Sequence, residues 1–166
     1  MSGDVFDNIA NQLRDEGVGV TSGAAFCWDG GRLKIMVDQH ILDVWVHVVE
    51  EFSMLLAQPG GISTLLEQQP FENDPVLNAA WQLFSSEKVR VEREGRCNVV
   101  LAGVAAGFVE DFEVDDWLRV CNELRSVVVG KDPDEERLNA IYSGAVEGSG
   151  VFRLASAFMH ELLAVT

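Results

Sequence analysis

Three histidines, three cysteines and 27 acidic side chains are the groups in this 166-residue chain that could ligate a metal, attack a substrate or move a proton. His40, His47, Glu50 and Glu51 fall close together. The four-residue spacing of His47 and Glu51 would put an imidazole and a carboxylate on one face of a helix. Zinc needs three or four converging ligands, and a helical metalloprotease carries two histidines at i, i+4 around a glutamate. That string is absent and only His160 stands elsewhere, so these residues read as an exposed helix face. No metal and no other cofactor is expected. The Gly-x-Ser-x-Gly elbow, the phosphate-cradling loop with its lysine and the dinucleotide fingerprint are also missing. Gly17-Val18-Gly19 and Gly148-Ser149-Gly150 read as breaks between elements. A non-catalytic protein is expected; the alternative is a small-molecule hydrolase whose site is built from dispersed carboxylates and histidines.

Cys27, Cys97 and Cys121 are too few for a disulfide framework, and an odd number leaves at least one thiol unpaired within the chain. Cys97 and Cys121 sit at positions expected on apolar helix faces, where thiols act as small hydrophobes. The sharper alternative makes them a redox pair, with Arg93 or Arg96 lowering the pKa of Cys97.

Twelve basic side chains against 27 acidic ones leave a formal charge of −15. Nucleic-acid binders draw most of their non-specific affinity from lysine and arginine on phosphate, so direct nucleic-acid binding is disfavoured. Lys88, Arg90, Arg93 and Arg96 form the one local basic group, which Glu87 and Glu92 at helical spacing would neutralise on a solvated face. Residues 110–136 carry ten acidic and three basic side chains, a net of −7 that would steer a basic protein partner. The start of the chain lacks a long apolar core and no apolar run approaches the ~20 residues of a membrane span. A cytoplasmic protein without membrane contact is expected.

The elements that must position these groups are mostly helical. Apolar residues make up 48 % of the chain and charged ones 23 %, the balance of a packed protein. Residues 1–16 predict a short amphipathic helix within an N-terminal arm, residues 1–25. In residues 23–37, Asp29-Gly30-Gly31 between alternating segments predicts a β-hairpin. Asp38 caps a long helix with Ile41, Val44 or Trp45, Val48, Phe52 and Leu55 inward, widened by Leu42, Val49 and Leu56, and stopped by Pro59-Gly60-Gly61. A short helix over 62–68 follows. Asp74-Pro75 starts the next, with Val76, Leu77, Ala80, Trp81 and Phe84 inward. Residues 86–108 read as helical in their first half, with Gly95, Gly103 and Gly107 marking a break or a close approach. Asp115-Asp116 opens a helix that buries Trp117, Leu118, Cys121, Leu124, Val127 and Val128 and ends at Gly130. Asp132-Pro133 starts a helix to about residue 145, and the last runs over 151–164 with Phe152, Leu154, Ala155, Phe158, Leu162 and Leu163 inward. The expected fold is mainly α, a single helical domain over residues 26–166 with six or seven helices and a short N-terminal β-hairpin.

Asp74-Pro75-Val76-Leu77, Trp117-Leu118, Asn122 with Leu124-Arg125, and Ala140-Ile141-Tyr142 with the closing helix follow one another in an order that resembles an actinobacterial family known as domain of unknown function 2017. The resemblance covers residues 26–163. It implies a mostly helical fold, a bacterial cytoplasmic setting, and a regulator that works by protein–protein interaction. It also implies, as an alternative, an oxidative-stress regulator of transcription acting through a sigma-factor-like partner and a pair of closely spaced cysteines; Cys97 and Cys121 stand 24 positions apart. Trp117, Asn122 and Arg125 are the candidate partner-binding residues. Trp117 reads as a core anchor, while Asn122 and Arg125, three apart, either meet a partner carboxylate or tie their helix to a neighbour. Pairing with a second copy of the chain is compatible with all of this.

Overall fold

The computed structural model describes residues 25–58, 73–130 and 133–166, the side chains of 81–86 excepted. The helices expected over 1–16 and 62–68, and Trp81 and Phe84 as buried residues, lie outside the described residues. The rest of the chain is mainly α with a small antiparallel sheet near its N-terminus, as expected.

Strands β1 (Phe26–Asp29) and β2 (Arg32–Ile35) pair antiparallel, Asp29 opposite Arg32. The two residues between them, Gly30 and Gly31, both take positive φ, 61° and 84°, which is what a two-residue hairpin turn demands. Helix α1 (Gln39–Ala57) starts where the Asp38 carboxylate accepts the His40 N–H. Its buried stripe is Ile41, Leu42, Trp45, Val49, Phe52 and Leu56. Val44 and Leu55 are exposed, so the helix is rotated slightly from the first-choice stripe toward the residues expected to widen it.

Helix α2 (Pro75–Ala106) is a single helix of 32 residues, capped by the Asp74 carboxylate on the Leu77 N–H. The sequence reading divided this stretch in two. Gly95 and Gly103 each weaken a helix by about 1 kcal/mol relative to Ala. The buried residues Arg93, Cys97 and Val100 run past Gly95, the half-buried Val104 lies beyond Gly103, and their packing outweighs that cost. Val76, Leu77 and Ala80, expected inward, are exposed. Gly107, in the left-handed region at φ 81°, ends the helix.

Its carbonyl accepts the Ile35 N–H at 3.0 Å, and the chain then enters β3 (Phe108–Glu110), which completes a sheet of order β1-β2-β3. Val109 lies opposite Leu33, both fully buried, and β3 was not expected from sequence. A 3-10 turn, Asp111–Glu113, leads into α3 (Val114–Val129). Helix α4 (Glu135–Ser143) is capped by Asp134 on the Arg137 N–H, two residues beyond the expected start, and Asp132 lies outside the described residues. Gly144 in the left-handed region closes it. Helix α5 (Ser149–Val165) is the last element; Leu163, expected inward, is exposed.

The core is organised around four aromatic rings. Phe26, Trp45, Trp117 and Phe158 come from β1, α1, α3 and α5, and neighbouring centroids lie from 4.8 Å (Trp45–Phe158) to 6.3 Å (Trp45–Trp117) apart. The sheet lays Leu33, Ile35 and Val109 on this centre. A second, smaller apolar cluster of Val128, Ile141 and Phe152 joins α3, α4 and α5. The Trp28 indole N–H donates to the Val165 carbonyl at 2.8 Å, tying the hairpin to the end of α5.

Candidate functional site

Helix α3 carries the three residues singled out for partner binding, and the structure gives each a different setting. Trp117 is fully buried among the aromatic rings. Asn122 is exposed, and its carbonyl accepts the Ser126 hydroxyl at 2.9 Å. Arg125 is turned toward α5, where its Nη1 donates to Met159 Sδ at 3.2 Å and its guanidinium carbon sits 5.2 Å from the centre of the Phe152 ring. Asn122 and Arg125 therefore do not share one open face.

The basic group of α2 is likewise split. Arg90 stays on the surface and pairs with Glu87 and, at 4.0 Å, with Glu94. Arg93 and Arg96 face α3 instead, where Glu123 Oε1 meets Arg93 Nε at 3.7 Å and Arg96 Nη2 at 3.0 Å. The expected Glu92–Arg96 pair on a solvated face is replaced by this cluster between helices. A carboxylate on the neighbouring helix offers a less hydrated site than one on the same exposed face, and the pairing there is correspondingly stronger.

Cys97, one residue beyond Arg96, is fully buried and its pKa is raised to about 12, first by desolvation and then by the nearby Glu123 charge. Arg96 acts in the opposite direction and does not prevail. Cys121 is also fully buried and raised to about 12 by desolvation, with Arg125 opposing. Both are thiols at neutral pH, and the expected activation of Cys97 by Arg93 or Arg96 is reversed by burial. Cys27 is the exposed thiol. His47 and Glu51 do meet, at 3.2 Å, on an open face of α1 where both side chains are largely in solvent. Among the described residues no group of three or more His, Cys, Asp or Glu is arranged to hold a metal ion. No described helix is long and apolar enough to cross a membrane.

The acidic segment 110–136 is not one surface. Glu123 is engaged between helices, and Asp134, Glu135 and Glu136 stand at the start of α4, beyond the far end of α3. Asp132 lies outside the described residues, and the other five, Glu110, Asp111, Glu113, Asp115 and Asp116, fall at the near end of α3. Glu110 pairs with Arg32 at 3.7 Å and Asp115 with Arg119 at 2.7 Å, while Asp111, Glu113 and Asp116 have no cation within ion-pair distance among the described residues. Carboxylates there are stabilised by the N-terminal end of the helix dipole. Within this ring Phe112 projects from the 3-10 turn with 81 % of its surface exposed.

A comparison with known proteins found no matching family, curated protein or solved structure. The site is therefore read from its own chemistry. Residue counting found the negative charge at this turn and missed Phe112, because a lone phenylalanine among acids gives no periodic signal. It also missed the role of Glu123, whose partners lie on another helix. What the Phe112 turn offers is an apolar knob inside a field of carboxylates, a surface for contact and charge steering.

Proposed function

We propose that this chain is a non-catalytic regulatory protein that acts by binding another protein, and that it does so through the Phe112 turn. The observation that carries the reading is the 81 % exposure of Phe112 beside Asp111, Glu113 and Asp116. An aromatic anchor with a polar rim is the composition of an interface centre, and aromatic residues supply a large share of binding energy where a partner pocket receives them. The surrounding charge selects a basic partner with an apolar pocket. The bacterial cytoplasmic setting and the link to oxidative stress come from the family resemblance.

A photo-crosslinking amino acid at position 112, expressed in the native host, tests the reading directly. Expected is a discrete crosslinked protein whose recovery falls with added salt and whose native association is lost in Phe112→Ala, while that variant keeps its melting temperature. The triple change Asp111→Asn, Glu113→Gln, Asp116→Asn slows association more than it speeds dissociation. A crosslinked partner that binds Phe112→Ala as tightly as the unaltered chain would sink the proposal.

A further inference from the structure

Among the eight described arginines, Arg32, Arg90, Arg93, Arg96 and Arg119 each meet a carboxylate. Arg137 donates to the carbonyls of Val128 and Val129, and Arg153 to that of Tyr142, so both close helix ends. Arg125 has neither kind of partner. Its Nη1 faces the thioether of Met159, its guanidinium carbon lies 5.2 Å from the centre of the Phe152 ring, and its Nε is buried with no acceptor among the described residues. A guanidinium has five N–H donors and thioether sulfur is a weak acceptor, so most of the donor capacity of Arg125 meets no protein oxygen among the described residues. A second unmet group lies on the same face of α5: Ser156, between Phe152 and Met159 at i+4 and i−3, is only 6 % exposed and its hydroxyl has no partner among the described residues.

We infer that Arg125 is the receptor for a carboxylate that the described part of the chain does not supply, borne on a molecule with an apolar body. A carboxylate accepts from a guanidinium through charge-assisted, two-point hydrogen bonds about twice as strong as neutral ones, so it displaces the sulfur. Met159 is unbranched and flexible enough to move aside. Phe152, with Tyr142 against its edge at 5.6 Å, forms the apolar wall beside the ligand's body. The site lies in the C-terminal half of α3, away from the Phe112 turn, and stands whether or not Phe112 binds a partner.

Nitrogen-15 NMR of the Arg125 side chain tests this at constant ionic strength set with chloride. Benzoate serves as a free small acid, N-acetylphenylalanine as the carboxylate end of a peptide, and N-acetylphenylalanine amide as the uncharged control. Expected is a saturable shift of the Arg125 resonances with at least one acid and none with the amide, and the acid that binds more tightly identifies the source. Affinities of the variants are read from backbone amide shifts of α3 and α5 in the same titrations: Arg125→Lys keeps the charge without the fork and weakens binding at least tenfold, and Ser156→Ala, which leaves Arg125 in place, weakens it severalfold. Shifts that rise linearly without saturating, that the amide reproduces, or that Ser156→Ala and Arg125→Lys leave unaltered in affinity would overturn the inference.

Discussion

Cys97 and Cys121 show how burial decides the chemistry of a side chain. A thiolate needs either water or a cation to stabilise it, and both groups have lost the first without gaining enough of the second. Native protein treated with a thiol-specific reagent at neutral pH should therefore label at Cys27 alone, with Cys97 and Cys121 reacting only after denaturation. Labelling of either buried thiol at the rate of Cys27 would contradict the structure. The raised pKa also has a consequence for stability. Between the ordinary value of 9.0 and about 12, the unfolded chain releases these protons while the folded chain holds them, so stability is full below 9.0 and falls as pH rises through that window. Each thiol contributes a slope of up to about 1.4 kcal/mol per pH unit. Chemical denaturation from about pH 8, one unit below the window's start, to about pH 11, one unit below its end, should show the decline, and Cys97→Ala with Cys121→Ala should flatten it.

Helix α2 holds a paired test of what a glycine is for. A Cβ on Gly103 would lie 3.2 Å from the Phe108 carbonyl oxygen and 3.3 Å from the Trp117 indole, so Gly103 is what lets α2, β3 and α3 approach. On Gly95 the same atom would meet nothing within 4 Å. Gly103→Ala is expected to destabilise the fold by about 1–3 kcal/mol through overpacking. Gly95→Ala is expected to stabilise it by up to about 1 kcal/mol, by the helix preference of alanine. Thermal melts of the two variants decide the matter, and effects of the same sign would refute this view of the α2–α3 contact. From sequence the two glycines look alike; Trp117 and Phe108, which tell them apart, are reached only when the chain turns back on α2.

At the scale of the whole molecule, two of the cations in this acidic chain, Arg93 and Arg96, are placed where helices meet. Glu123 joins α3 to Arg93 and Arg96 of α2, and its Oε2 is buried without a hydrogen-bond partner among the described residues. Removing a shared acceptor of this kind leaves two guanidinium groups short of their counter-charge. Glu123→Ala is expected to cost about 3 kcal/mol, read as a fall in the denaturation midpoint. Glu87→Ala, which removes a carboxylate in open solvent, is expected to leave that midpoint where it is. Equal effects would mean that the cluster between α2 and α3 contributes no more than a surface pair.

The parts of this protein that were legible in the amino-acid order are those controlled by neighbours in the chain. The Gly30-Gly31 turn, the Asp38 and Asp74 caps and the stop at Gly130 all depend on contacts within a few residues, whereas on α3 Trp117, Cys121, Leu124 and Val128 are buried as expected, Leu118 and Val127 are half-buried, and Val114 and Val120 are buried unexpectedly. Apolar periodicity then made the mainly helical architecture visible. Strand β3, the unbroken length of α2, the recruitment of Glu123 by two arginines, the inertness of two thiols and the isolation of Arg125 and Phe112 required folding in space. Each turns on which distant groups share a dielectric environment, a hydrogen bond or a packing surface, and local spacing carries no record of those encounters.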